Sequence, residues 1–161
     1  MARTAVYAGS FDPITAGHRD LIFRSLRFVD RLVVAIAVNV NKEPLFPVEE
    51  RLEFIRHTVG HDPRIEVRHF EGLLVDFVRE IDAKLIIRGI RAVSDFEYEF
   101  QMALMNRHLA EGIETVFMVP SIETSFVSSS LVRQVARFRG DVDDLVHPVV
   151  AEGLRRRYSG G

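Results

Sequence analysis

The 161-residue sequence predicts an α/β fold: a doubly wound five-stranded parallel sheet with helices on both faces. Two observations carry this. Strand-like and helix-like patterns alternate along the whole chain, with no internal repeat, low-complexity segment or linker, and such alternation builds parallel sheets covered by helices. One segment, "RLVVAIAV" at 31–38, is almost continuously apolar, as a strand covered on both faces must be. The length suits one domain, 1–161, large enough to bury most of its apolar surface.

The elements follow in order. "RTAVYA" (3–8) reads as a strand, and from Gly17 to Val29 the apolar Leu21, Ile22, Leu26 and Val29 recur at helical spacing. After the apolar strand 31–38, Val48, Leu52, Ile55 and Val59 mark an amphipathic helix opened by Pro47. "RIEVRH" (64–69) alternates as a strand, and Leu73, Leu74, Phe77, Val78 and Ile81 give a further helical stripe. "KLIIR" (84–88) is a short buried strand. "SDFE" (94–97) has the Ser-x-x-Glu form of a capping box, with Phe96, Phe100, Ala103 and Leu104 continuing the helix. "IETVFMV" (113–119) is the fifth strand, "SSSLVRQVARF" (128–138) a helix, and Leu145 to Arg157 hold another. Right-handed crossovers then restrict the topology to a doubly wound, Rossmann-like sheet.

Composition excludes several chemistries. The chain has no cysteine, hence no disulfide framework, thiol nucleophile or zinc–thiolate site. A formal net charge of −2 gives no general drive toward nucleic acid or a membrane. No apolar run approaches the roughly 20 residues that span a bilayer, and "MARTAVYAGSFDP" runs from a short apolar stretch into turn residues, unlike a signal peptide. The expected location is cytoplasmic. Basic residues are nearly all arginine; Lys42 and Lys84 are the two lysines.

In a doubly wound sheet, ligands bind beyond the carboxyl ends of the strands, near the switch in strand order. The informative loops are 9–17, 39–47, 70–73, 89–94 and 120–129. The first, "GSFDPITAGH", holds neither Gly-x-Gly-x-x-Gly nor a Walker pattern. A helix begins near Gly17, and its free N–H groups and dipole favour an anion. Gly17 leaves room for close approach, and His18 sits in the first turn as a hydrogen-bond donor for phosphate. Taken alone, the loop also reads as a turn shaped by Gly and Pro with His18 at the surface. Lys42, in the second loop, lies just past a strand end, where its ammonium reaches a phosphate or is simply solvated. Arg88 and Arg91 flank Gly89, either as a bidentate phosphate clamp or as structural partners of Asp95, Glu97 or Glu99. Ser128, Ser129 and Ser130 open a helix, with Ser125 upstream: one serine is an ordinary N-cap, three make a cradle for a polyphosphate.

The four loops converge on one ligand-binding edge. Together they predict a cationic site, rich in hydroxyls and backbone N–H groups, with one histidine. There is no nucleophile–base pair and no Gly-x-Ser-x-Gly elbow. His57, His61, His69, His108 and His147 are scattered and read as ordinary surface or core residues. A site of this kind stabilises charge on phosphate without a covalent enzyme intermediate.

These residues carry a resemblance. "GSFDPITAGH" resembles the Thr/His-x-Gly-His signature of the nucleotidylyltransferase superfamily, and "SFVSSSLVR" resembles its Ser-Ser-Ser/Thr-x-x-Arg/Lys segment. "RGIRAVSDFEYEFQMALMNRHL" narrows the match to the bacterial phosphopantetheine adenylyltransferase family, over nearly the whole chain. The resemblance implies transfer of the adenylyl group of ATP to 4′-phosphopantetheine, giving dephospho-coenzyme A and pyrophosphate, by direct in-line attack. It implies catalytic roles for His18, Ser10, Lys42 and Arg91. ATP would be bound by Ser10, Phe11, His18, Gly89, Ile90, Arg91, Glu99, Thr124, Ser125, Phe126, Val127, Ser128, Ser129 and Ser130. Phosphopantetheine would be bound by Ser10, Lys42, Leu74 and Arg88. It further implies Mg2+ accompanying the triphosphate, no resident metal site, a homohexamer, and coenzyme A as a feedback inhibitor. The sequence departs from the family at Ala8, where proline is usual, in "VNVN" (38–41), which lacks the usual proline, and at Thr124, where an aromatic is common. Another nucleotidylyltransferase with a different phosphate acceptor, or a non-catalytic nucleotide-binding module, shares most of these features.

Overall fold

The structure is a computed structural model and describes residues 1–160. Within them, β1 (Thr4–Gly9), α1 (Ala16–Ser25), β2 (Arg31–Val38), α2 (Val48–Val59), β3 (Ile65–Glu71), α3 (Leu74–Glu80), β4 (Leu85–Gly89), α4 (Val93–Leu109), β5 (Glu114–Met118), α5 (Ser129–Arg137) and α6 (Pro148–Ser159) alternate as expected. The five strands form one parallel sheet in the order β3-β2-β1-β4-β5. The chain leaves β1 to one side through β2 and β3, then returns to the other side of β1 with β4. The strand order therefore switches between β1 and β4, and their carboxyl ends, Gly9 and Gly89, open a crevice.

Strand alternation divides the core. Ala5, Tyr7, Leu32, Val34, Ile36 and Ile87 face one layer, where they pack with Leu21 and Ile22 of α1, Phe54 and Ile55 of α2, Val132 of α5 and Leu154 of α6. Val6, Ala8, Val33, Ala35 and Ile86 face the other, against Val75, Phe77 and Val78 of α3 together with Ala110 and Ile113. The second layer is thinner. α4 crosses it with Asn106 as its one buried residue, leaving Phe96, Phe100, Leu104 and Met105 exposed.

Several boundaries differ from the sequence reading, each for a local reason. Ser94 is not a cap: Ala92 holds the extended N-cap backbone (φ −146°, ψ 162°) and Ser94 lies inside the first turn. Asp95 reaches back instead, its carboxylate accepting the Arg91 N–H at 3.4 Å. α1 ends at Ser25, and 26–29 continue as turns, with Leu26 and Val29 still buried. Pro47 is the N-cap of α2 rather than its first helical residue. α6 starts at Pro148 because a residue before proline avoids helical backbone; His147 caps it through Nδ1, and Leu145 accepts the Ala16 N–H instead.

Candidate active site

The crevice between β1 and β4 opens into a cavity of about 310 Å³. The first loop, the ends of β1 and β4, Lys42 and the start of α5 all reach it. Four cations, Lys42, Arg88, Arg91 and Arg133, line it against two carboxylates, Asp95 and Glu99. Close packing builds its floor. A Cβ on Gly89 would come within 2.7 Å of a Leu21 methyl, and one on Gly17 would touch the carbonyls of Thr124 and Val127 at 3.5 Å.

His18 is fixed by its own helix start. Thr15 is the N-cap of α1, and His18, at the third helical position, returns its side chain to the cap. The Thr15 main-chain N–H donates to His18 Nδ1 at 2.9 Å. An accepting Nδ1 carries no proton, so in the neutral ring the proton is on Nε2. The ring packs edge-on against Phe11 at 4.9 Å between centroids. Phe11 in turn is T-shaped on Tyr7 at 5.3 Å and adopts a left-handed backbone, φ +46°, a conformation that costs a non-glycine residue free energy. Burial, then the Arg91 and Arg88 guanidiniums, push His18 down to about 4. Near neutral pH it is therefore an uncharged Nε2–H donor. Burial also pushes the Tyr7 phenol far above its usual value, against the pull of the two arginines.

The arginines have the structural partners that one of the two sequence readings expected, and they also line the cavity. Arg88 donates through Nε and Nη2 to the two oxygens of Glu99 at 2.8 and 2.5 Å, and through Nη1 to the Ala8 carbonyl at 2.6 Å. Arg91 stands 3.7 Å from Asp95. α4 thus braces both guanidiniums from behind while they line the cavity; Glu97 takes neither. The three serines divide their work. Ser128 caps α5 by accepting the Leu131 N–H at 3.1 Å, Ser129 donates to the Pro13 carbonyl at 2.7 Å, and Ser130 accepts from Arg133 at 3.3 Å. The first amides of α5 are left without helical partners, as at any helix start.

Of the sequence-predicted residues, Ser10, Phe11, His18, Lys42, Arg88, Gly89, Arg91, Glu99, Thr124, Val127, Ser128, Ser129 and Ser130 line this cavity; Ile90, Ser125 and Phe126 do not. Ser125 and Phe126 are exposed on the loop before α5. Leu74 lines an adjoining cavity of about 360 Å³ that shares Gly9, Ser10, Arg88 and Glu99 with the first and adds Tyr98, Met102 and Asn106. Sequence reasoning missed Thr15, Asp12, Arg51 and Arg133. Arg133 closes the Ser-Ser-Ser-x-x-Arg segment and donates to the Asp12 carbonyl at 2.6 Å. Thr15-x-x-His18 was legible as a capping pair. Nothing local marks Arg51, whose Nη1 donates to the Ser10 carbonyl at 2.9 Å.

Among the described residues, no group of three or more histidine, aspartate and glutamate side chains is placed to hold a metal ion. The two cavity carboxylates are engaged by arginines.

The cytidylyltransferase-like family model matches residues 6–135. The chain is 54% identical over 162 residues to a phosphopantetheine adenylyltransferase from Alkalilimnicola ehrlichii, covering 99% of this chain and 93% of the relative. It is 52% identical to that of Bordetella avium (96% and 92%) and 50% identical to that of Dictyoglomus turgidum (96% of each). Its fold resembles a crystal structure assigned as a nicotinate-nucleotide adenylyltransferase from Vibrio parahaemolyticus, with a TM-score of 0.71 at 17% identity over 100% of this chain and 98% of that one. A cavity of this make-up sits in a chain that belongs to the phosphopantetheine adenylyltransferase family, within the cytidylyltransferase-like group.

Proposed function

We propose that the chain transfers the adenylyl group of ATP to 4′-phosphopantetheine, giving dephospho-coenzyme A and pyrophosphate. One observation carries the mechanism. His18 is a neutral Nε2–H donor with its other nitrogen already occupied, in a cavity with excess positive charge. It is therefore unsuited to act as a general base, and none is needed. The nucleophile is a phosphate oxygen, largely dianionic near pH 7 because a phosphate monoester's second pKa is about 6.

In the step itself, that oxygen bonds to the α-phosphorus while the bond from the α-phosphorus to the bridging oxygen of the β-phosphate breaks. The electron pair leaves with pyrophosphate. Lys42 and Arg88 hold the acceptor's phosphate, His18 and Ser10 meet charge developing on the α-phosphate, and Arg91 with the α5 start holds the β- and γ-phosphates. Gly89, Thr124 and Val127 bound the nucleoside. The reaction needs two polyanions brought in line and the charge of the transition state stabilised. Magnesium would accompany ATP as its salt and supply charge neutralisation on the triphosphate, while the cavity's two carboxylates stand against arginines.

The apolar residues exposed on α4 support self-association, with the hexamer as the expected state. Coenzyme A, the product carrying one more phosphate, competes at the same site in this reading. A cytoplasmic setting completes it; no helix among the described residues is long and apolar enough to cross a membrane.

The test is pyrophosphate release, with ATP or CTP set against 4′-phosphopantetheine and other phosphate acceptors. Turnover confined to ATP with 4′-phosphopantetheine is expected. Turnover with a different acceptor gives the site to another nucleotidylyl transfer, and tight ATP binding without release overturns the enzymatic reading.

A further inference from the structure

Asp12 lies outside the lining of the main cavity, yet three segments meet on it. Its main-chain carbonyl accepts Arg133 Nη1 of α5 at 2.6 Å. Its carboxylate oxygens accept the main-chain N–H groups of Leu45 at 2.7 Å and Phe46 at 3.1 Å. Two residues earlier, the Ser10 carbonyl accepts Arg51 of α2. Asp12 and Arg51 are 8% and 4% exposed, so both charged side chains are largely withdrawn from water, where a charge-assisted bond is strongest and a lost partner most costly.

The loop that Asp12 grips carries Lys42. The bonds nearest Lys42 are internal to that loop: its own N–H donates to the Asn39 carbonyl at 3.2 Å, and the Asn41 N–H to Asn39 Oδ1 at 3.0 Å. Lys42 is exposed, and a lysine ammonium on its flexible stem is only as well placed as the backbone beneath it. The loop is tied to the body at its far end, by the two bonds to Asp12 and by the Phe46 ring, which is T-shaped on Phe54 at 4.9 Å. Both carboxylate oxygens are spent on main-chain N–H groups, so Asp12 is not a proton donor or acceptor for substrate.

We propose that Asp12 is a positioning residue whose buried carboxylate joins the Lys42 loop to the Ser10–His18 loop, so that the ammonium holding the acceptor's phosphate keeps a fixed spacing from the donor at the α-phosphate. The inference rests on the reading of Lys42 as that holder. Misplacement by about 1 Å is enough to cost on the order of a hundredfold in such in-line chemistry.

The test is steady-state kinetics on Asp12→Asn, Lys42→Ala and the double variant, with KM read separately for ATP and for 4′-phosphopantetheine. Asp12→Asn keeps the shape and one acceptor oxygen but turns an NH2 toward one of the two N–H groups. It is expected to raise the acceptor KM about tenfold, the loss of one charge-assisted hydrogen bond, and to leave the ATP KM nearly unchanged. In the double variant the acceptor KM should be no worse than in Lys42→Ala alone, because both changes remove the same contact. Amide exchange at Leu45 and Phe46 should quicken in Asp12→Asn. An equal rise in both KM values, or effects that multiply in the double variant, overturns the proposal. If Lys42→Ala leaves the acceptor KM unchanged, the reading of Lys42 falls and this inference with it. If Lys42→Ala raises it while Asp12→Asn does not, this inference alone falls. Asp12→Ser is run beside Asp12→Asn; should neither variant fold, Asp12 is structural and the positioning role is overturned.

Discussion

Replacing His18 by alanine tests the chemistry most directly. The ring gives its Nδ1 to the Thr15 N–H at 2.9 Å, leaving one N–H, on Nε2, which in the proposed mechanism donates toward the α-phosphate. A single preorganised donor aimed at developing charge is worth about 3–4 kcal/mol, so His18→Ala is expected to lower kcat by roughly 10² to 10³-fold. The KM values should move little, because the proposed mechanism gives the ground-state phosphates to Lys42, Arg88 and Arg91. His18→Gln carries an amide N–H to donate and an oxygen able to accept the Thr15 N–H, as glutamine does at this position of a capping box, so it should recover part of the loss. The structural cost is that of one capping partner, about 1 kcal/mol, or some 2–4 °C in Tm for a chain of this size. The assay is initial-rate pyrophosphate release at saturating ATP and 4′-phosphopantetheine, with a melting curve for each variant. A folded His18→Ala enzyme with kcat near that of the parent, or one whose loss appears wholly in KM, would refute the donor role.

Other outcomes follow from the same structure. In the ligand-free protein His18 should titrate near 4 by NMR, with its neutral ring protonated on Nε2, so kcat/KM should show no His18 inflection near pH 6.5; an apparent pKa of 6 or above in the free protein, or an Nδ1–H tautomer, contradicts this. Because the folded chain binds that proton more weakly than the unfolded chain, His18 lowers stability as pH falls from about 6.5 toward 4 and contributes no pH dependence above that window. Gly153→Ala would bring a Cβ within 2.5 Å of the buried Phe54 ring, an overpacking expected to cost about 1–3 kcal/mol by denaturant unfolding; an unchanged midpoint would show that α6 shifts freely. If α4 is the association surface, Phe100→Asp combined with Leu104→Asp should reduce the oligomer in analytical ultracentrifugation, and an unchanged sedimentation coefficient removes α4 from that role.

The comparison of sequence with structure is clearest at the loops. Glycine, proline and hydroxyl residues after each strand marked the functional edge, because turns and helix starts select residue types by local backbone geometry. The same locality misled at Ser94, where a capping pattern is present but the chain enters the helix two residues earlier, with Asp95 folding back on Arg91. Arg51 and Asp12 were invisible for the opposite reason. Their partners, Ser10 across 41 positions and Leu45 and Phe46 across 33 and 34, are set by how α2 and the 39–47 loop dock on the sheet.

What the sequence determined alone is the periodic part: five strands, the helices between them, and the kinds of charge and hydroxyl gathered at one edge. These follow from side-chain spacing of two or about 3.6 residues, which is written along the chain. What the tertiary structure decided is how each group is held. It set Glu99 against Arg88, on a different element, and turned Ser129 to the Pro13 carbonyl, 116 positions away. Hydrogen-bond partners depend on distances of about 3 Å between segments far apart in sequence, and only packing around a common core fixes those distances.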